Sequence, residues 1–109
     1  MCRSDSPGRV GDGQYARVDE HAARVVSSLE RLIADYRAET ASEQELQYAV
    51  SSVASALDHR YADLVSLLNT VDSELETAIY AMPAAQARTF TLGRCDQMAD
   101  AIARAFRCR

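Results

Sequence analysis

The chain has no lysine and no tryptophan, and only two prolines, four glycines and three cysteines in 109 residues. Three of the glycines, Gly8, Gly11 and Gly13, fall in the first thirteen positions. The remainder is therefore nearly free of residues that interrupt helices, which favours long helices over a sheet joined by tight turns. Three cysteines (Cys2, Cys95 and Cys108) are too few and too scattered for a disulfide scaffold, and they show none of the close pairing that zinc sites need. Cys95 lies on an apolar helix face and reads as a small buried hydrophobe. Cys2 and Cys108 can pair only if the chain ends meet. No apolar run approaches membrane-spanning length, and the opening Met-Cys-Arg-Ser-Asp-Ser-Pro-Gly lacks the apolar core of a signal peptide. These absences lead us to expect a soluble, cytoplasmic protein.

Charge is unevenly spread. The net formal charge of −4 combines an acidic body with a basic end. Residues 15–87 hold five arginines against twelve carboxylates, whereas residues 88–109 hold five arginines against Asp96 and Asp100. Broad nucleic-acid binding requires many cations to neutralise phosphates, so this distribution makes a nucleic-acid partner an unfavoured reading. The terminal arginines instead suit their own helix C-terminus and the acidic body.

What is present is a seam. Tyr15, Val18, Ala22, Val25, Leu29, Leu32 and Tyr36 recur at intervals of three and four, and Val26 and Ile33 widen the stripe. A second series runs Leu46, Val50, Val53, Leu57, Tyr61, Leu64, Leu68, Val71, Leu75, Ala78 and Met82. A third is Leu92, Cys95, Ala99, Ile102 and Phe106. Such spacing places apolar side chains on one side of an α-helix. The fold class is therefore all-α: an antiparallel helical hairpin plus a third helix, three long helices and possibly four, in a coiled-coil-like bundle.

Residues 1–13 read as a flexible leader and residues 14–109 as one helical-bundle domain. The first helix is placed at 14–38, with Asp12 or Gly13 as its cap. Ser42-Glu43-Gln44-Glu45 is a capping box, so a second helix starts near Glu43. Its seam continues to Met82 before Pro83, which predicts one long helix. A second capping-box pattern at Ser73–Glu76, after Asn69-Thr70, marks the place where that helix divides if there are four. The apolar stripe also shifts phase between Val50 and Tyr61, which we read as local relaxation of supercoiling. The last helix starts after Pro83, or as late as Thr91, and runs to Phe106.

Chemistry is harder to find. Folding the first helix onto the second brings His21 and His59 to similar heights, but His59 lies between seam residues Leu57 and Tyr61 and faces away. No Glu-x-x-His pair of the di-iron bundle type occurs. Nucleophilic catalysis needs a Ser or Cys beside a positioned base, and none is evident. We expect no enzyme, no metal and no cofactor. Tyr48 and Tyr80 fall off the seam on the outward side, where exposed aromatics often anchor partners. Val65 and Leu67 flank the seam where it is widest. These four residues are the candidate partner-binding set, and the carboxylates from Glu39 to Glu45 form an acidic tip.

The leading expectation is a non-enzymatic helical protein–protein interaction module, of the adaptor, chaperone-like or assembly kind. A long spine with uncovered apolar surface predicts self-association, most simply as a homodimer. One alternative is a small DNA-binding regulator or antitoxin-like protein using the basic C-terminal helix. Another is a small helical hairpin exported by a specialised secretion system. Size alone suggests that last reading, since the Trp-x-Gly turn of the best-known such family is missing.

Overall fold

The computed structural model describes the backbone of residues 12–106 and the side chains of residues 20–106. Residues 1–11 of the expected leader, Cys2 among them, and Cys108 with the last two arginines thus lie outside the described residues, as do the side chains of Tyr15 and Val18; Asp12 and Gly13, expected as leader or cap, are already within α1. Four helices follow one another: α1 (Asp12–Arg37), α2 (Glu43–Ala56), α3 (Ala62–Ala81) and α4 (Ala84–Phe106), with a 3-10 turn at His59–Tyr61 between α2 and α3. Short connections force each helix to run antiparallel to the one before it. The pairs α1–α2, α2–α3, α3–α4 and α4–α1 are all in contact, so the four helices close around one core.

The principal departure from the sequence reading is the long second helix, which is two helices. Its break falls at residues 57–61, where the apolar stripe shifts phase, and α3 passes through 69–73 without interruption. Leu57 turns extended, and its N–H still donates to the Val53 carbonyl. Asp58 then accepts the backbone N–H of Arg60 at 3.0 Å, starting the 3-10 turn. That same N–H, ahead of the nearby guanidinium, holds the Asp58 carboxyl below its usual range. Tyr61 is buried and stacks on Phe106 of α4 with ring centres 4.9 Å apart. The turn is thus fixed by a local cap and an aromatic contact, with no glycine or proline involved.

The other two connections follow their local chemistry. After α1, Glu39 adopts φ 65°, the Glu39 N–H donates to the Tyr36 carbonyl, and the Thr40 N–H reaches the Asp35 carbonyl. These two bonds make a Schellman ending, with glutamate in the left-handed position glycine usually holds. The capping box then opens α2: Ser42 Oγ accepts from Glu45 N–H at 3.1 Å, and Glu45 Oε1 accepts from Ser42 N–H at 2.8 Å. Met82 is extended, as a residue before proline must be. The Pro83 carbonyl accepts the first bond of α4 from Ala87.

Closing the fourth side of the bundle moves the centre of each stripe. Val26 and Ile33 are buried, while Val25 and Leu32 are half-buried flanks. On α4 the buried line is Ala87, Thr91, Cys95, Met98 and Ile102, so Leu92, Ala99 and Phe106 are half-buried. A helix touching two neighbours buries the side chains directed between them, and a seam drawn for one neighbour misses that direction. The spine that seemed to need a second copy is broken and enclosed by α1 and α4. With α1 and α4 packed on it, the spine keeps less of its apolar stripe uncovered than a three-helix hairpin would.

Candidate functional site

At the end of the bundle where α1 finishes, three helices share a polar cluster. Tyr36 is 1% exposed, and its hydroxyl donates to Glu43 Oε2 at 2.6 Å. Burial first, and then the hydrogen bond and charge of Glu43, push its pKa up to about 12. Arg88 of α4 lies over the Tyr36 ring at 5.0 Å and donates to the Tyr36 and Arg37 carbonyls. It supplies the Arg37 carbonyl, to which the Schellman ending brings no backbone donor, and adds a second donor at the Tyr36 carbonyl; Glu39 lies 3.6 Å from the same guanidinium. Thr91 turns its hydroxyl into this region with no hydrogen bond of good geometry among the described residues. Next to it Cys95 is fully buried as a free thiol, and burial pushes its pKa up to about 11. A phenol and a thiol both shifted toward their neutral forms are poor nucleophiles, so the cluster reads as a joint between helices.

The acidic tip is consequently committed: Glu43 holds Tyr36, Glu45 closes the capping box, and Glu39 faces Arg88. The arginines of α4 are committed as well. Arg94 bonds Glu74 of α3 at 2.7 Å and lies over the Phe90 ring, while Arg104 pairs with Asp100 on its own helix. Arg37 of α1 reaches Asp96 at 2.5 Å. Each described α4 arginine thus meets a carboxylate, as the charge distribution suggested.

The sequence-selected residues separate into two groups. Among the described residues, Tyr48 on α2 and Tyr80 on α3 are the large hydrophobic side chains left in solvent, at 76% and 75% exposure. Val65 and Leu67 are half-buried on the flanks of α3 and pack against the core. Leu67 faces α4, where it lines a shallow groove of about 510 Å³ with Asp63, Leu64, Ala101, Arg104 and Ala105. The structure therefore does not gather all four residues into one patch. His21 on α1 and His59 in the α2–α3 turn are both exposed. Among the described residues no three His, Cys, Asp or Glu side chains converge as a metal-binding group, and no helix is long and apolar enough to cross a membrane. Sequence reasoning missed Arg88 and Thr91: the two carbonyls that Arg88 reaches are more than fifty positions away, and no local pattern marks either residue.

Comparison of the chain with models of known protein families, with characterised proteins and with solved structures finds no match in any of the three.

Proposed function

We propose that this protein is a non-enzymatic interaction module whose outward α2–α3 face receives another protein. The observation that carries the reading is the pair of tyrosines. Among the described residues the other large apolar side chains are at least partly buried, while Tyr48 and Tyr80 each leave three quarters of their surface in water. Tyrosine contributes broad contact area with few rotatable bonds, and it is enriched among residues that dominate binding energy. Neither ring is among the side chains packed against the core.

The test is affinity capture from the native host with the wild-type chain and with a Tyr48→Ala/Tyr80→Ala double variant. Exposed positions tolerate such changes, so the melting temperature should stay within about 2 °C of wild type. The expected result is a partner retained by the wild type and lost by the variant. Identical captured sets from two equally folded baits would refute the reading.

A further inference from the structure

Of the three connections between helices, the one at residues 57–61 stands in an unusual relation to the helices it joins. A hairpin turn leaves the buried sides of its two helices free to take any phase. From Tyr36 to Leu46 the buried side moves by about a quarter turn, and from Ala78 to Ala87 by about half a turn, at 3.6 residues per turn. Across the α2–α3 turn it does not move. Val53, Leu57, Tyr61, Leu64 and Leu68 are all buried, at steps of four, four, three and four that keep to one side of a continuous helix. The two successive steps of four interrupt the seven-residue repeat as a stutter does, relaxing supercoiling without ending a helix. The other two connections also carry a stop that this one lacks: Glu39 is left-handed at φ 65°, and Pro83 precedes α4. Residues 57–61 contain no glycine, no proline and no left-handed residue. The chain leaves the helical conformation there at Leu57 (φ −86°, ψ 148°), Asp58 (φ −98°, ψ −174°) and Tyr61 (φ −112°, ψ 35°).

We infer that residues 57–61 form a hinge, on which α2 and α3 straighten into one helix while two copies of the chain exchange their α3–α4 hairpins. The joined helix spans Glu43–Ala81, about 58 Å at 1.5 Å per residue. An opened chain by itself exposes the core side of both hairpins, so a second copy of the same chain is the occupant that covers it. Contacts inside each hairpin are unchanged by the exchange: Tyr36 with Glu43, Arg94 with Glu74, and the Tyr61–Phe106 stack. Contacts between hairpins, such as Gln47 with Asp72 and Arg88 with the Tyr36 and Arg37 carbonyls, re-form between copies. Each opened turn gives up the Asp58 cap and gains helical backbone bonds across 57–61. Each exchanged bundle carries Tyr48 from one copy and Tyr80 from the other, so the dimer presents the tyrosine face twice. This second form stands apart from the interaction reading and does not depend on it.

The hinge is tested by unfolding the full-length chain in guanidinium chloride, refolding it at low and at high concentration, and separating the products by gel filtration with light scattering. High concentration should yield a dimer that persists on dilution, because return to the monomer requires a bundle to unfold. His59→Pro distinguishes the two forms. Proline fits the first position of the 3-10 turn after an extended Asp58, and it cannot sit inside the joined helix. This variant should stay folded and monomeric at either concentration. Asp58→Ala removes the cap and should tighten the dimer by about thirtyfold, since two turns open in each dimer. In dimers mixed from isotope-labelled and unlabelled chains, isotope-filtered spectra should place the Tyr36 ring of one copy against Arg88 of the other. A wild-type chain that refolds only as a monomer, a His59→Pro dimer as abundant as the wild-type one, or a mixed dimer without Tyr36–Arg88 contacts between copies would each overturn the hinge. If His59→Pro does not fold, the Asp58→Ala shift and the mixed-dimer contacts decide the matter.

Discussion

Replacing Tyr36 with phenylalanine removes one oxygen atom and tests how the first and second helices are joined. The ring stays, with its burial and its place beneath Arg88, so the change isolates the 2.6 Å bond to Glu43. A hydrogen bond to a charged acceptor contributes about 1.5–3 kcal/mol. Glu43 is half-buried, so water can replace part of what it loses, and we expect about 1–2 kcal/mol. At ~4–8 °C per kcal/mol for a small domain, the melting temperature falls by roughly 4–16 °C. Urea unfolding followed by circular dichroism gives the free energy directly. A cycle with Glu43→Gln separates the bond from the favourable position of Glu43 in the first turn of α2. There is also a pH signature. The phenol's pKa is about 12 in the folded chain against an ordinary 10. Above pH 10 the unfolded chain releases this proton while the folded chain keeps it. The stability it confers is therefore whole below pH 10 and is lost as pH rises toward 12. The phenylalanine variant should lack this loss. A variant within about 0.5 kcal/mol of wild type, with the same alkaline slope, would show that the bond contributes nothing.

Other perturbations follow from the same geometry. Cys95 adds a second alkaline window: its thiol is held at about 11 against an ordinary 9.0, so stability should fall between pH 9 and 11, and Cys95→Ala should remove that part of the slope. The same thiol should react with a thiol reagent only as fast as the bundle unfolds, and reaction in the folded state would contradict its burial. Glu39→Gly should stabilise by about 0.5–1 kcal/mol, because glycine carries no side-chain penalty at φ 65° and the exposed pair with Arg88 is worth little. Gly93→Ala should also stabilise by about 0.5–1 kcal/mol, since a methyl there meets nothing within 4 Å; a lower melting temperature would contradict the open surface.

How much of this was readable in the sequence depends on how far apart the interacting residues lie. The Ser42 capping box and the Pro83 boundary were legible because each is complete within a few positions. Tyr48 and Tyr80 were legible as exposed because they oppose a strongly apolar stripe. The break at 57–61 left a visible phase step, yet Asp58-His59-Arg60-Tyr61 matches no capping-box pattern, and the seam continued beyond it. What settles the break is Tyr61 stacking on Phe106, a contact across forty-five positions that a seam cannot show. Thr91 was passed over for its hydroxyl, and Met98 because the line through Leu92 and Ala99 assumed a single neighbour. Val65 and Leu67 were rightly seen as a broad region, whose breadth serves the helices on either side.

The reach of Arg88 to the end of α1 has a consequence for how the chain comes together. The Arg37 carbonyl at the end of the first helix, and the Tyr36 ring beside it, are completed by a side chain that leaves the ribosome more than fifty residues later. A nascent chain holding only α1 to α3 presents an Arg37 carbonyl without this donor, a Tyr36 ring without its cation and a core without its fourth wall. The first helix to be made is therefore finished by the last, and the bundle should become stable in a single step once synthesis has passed through α4.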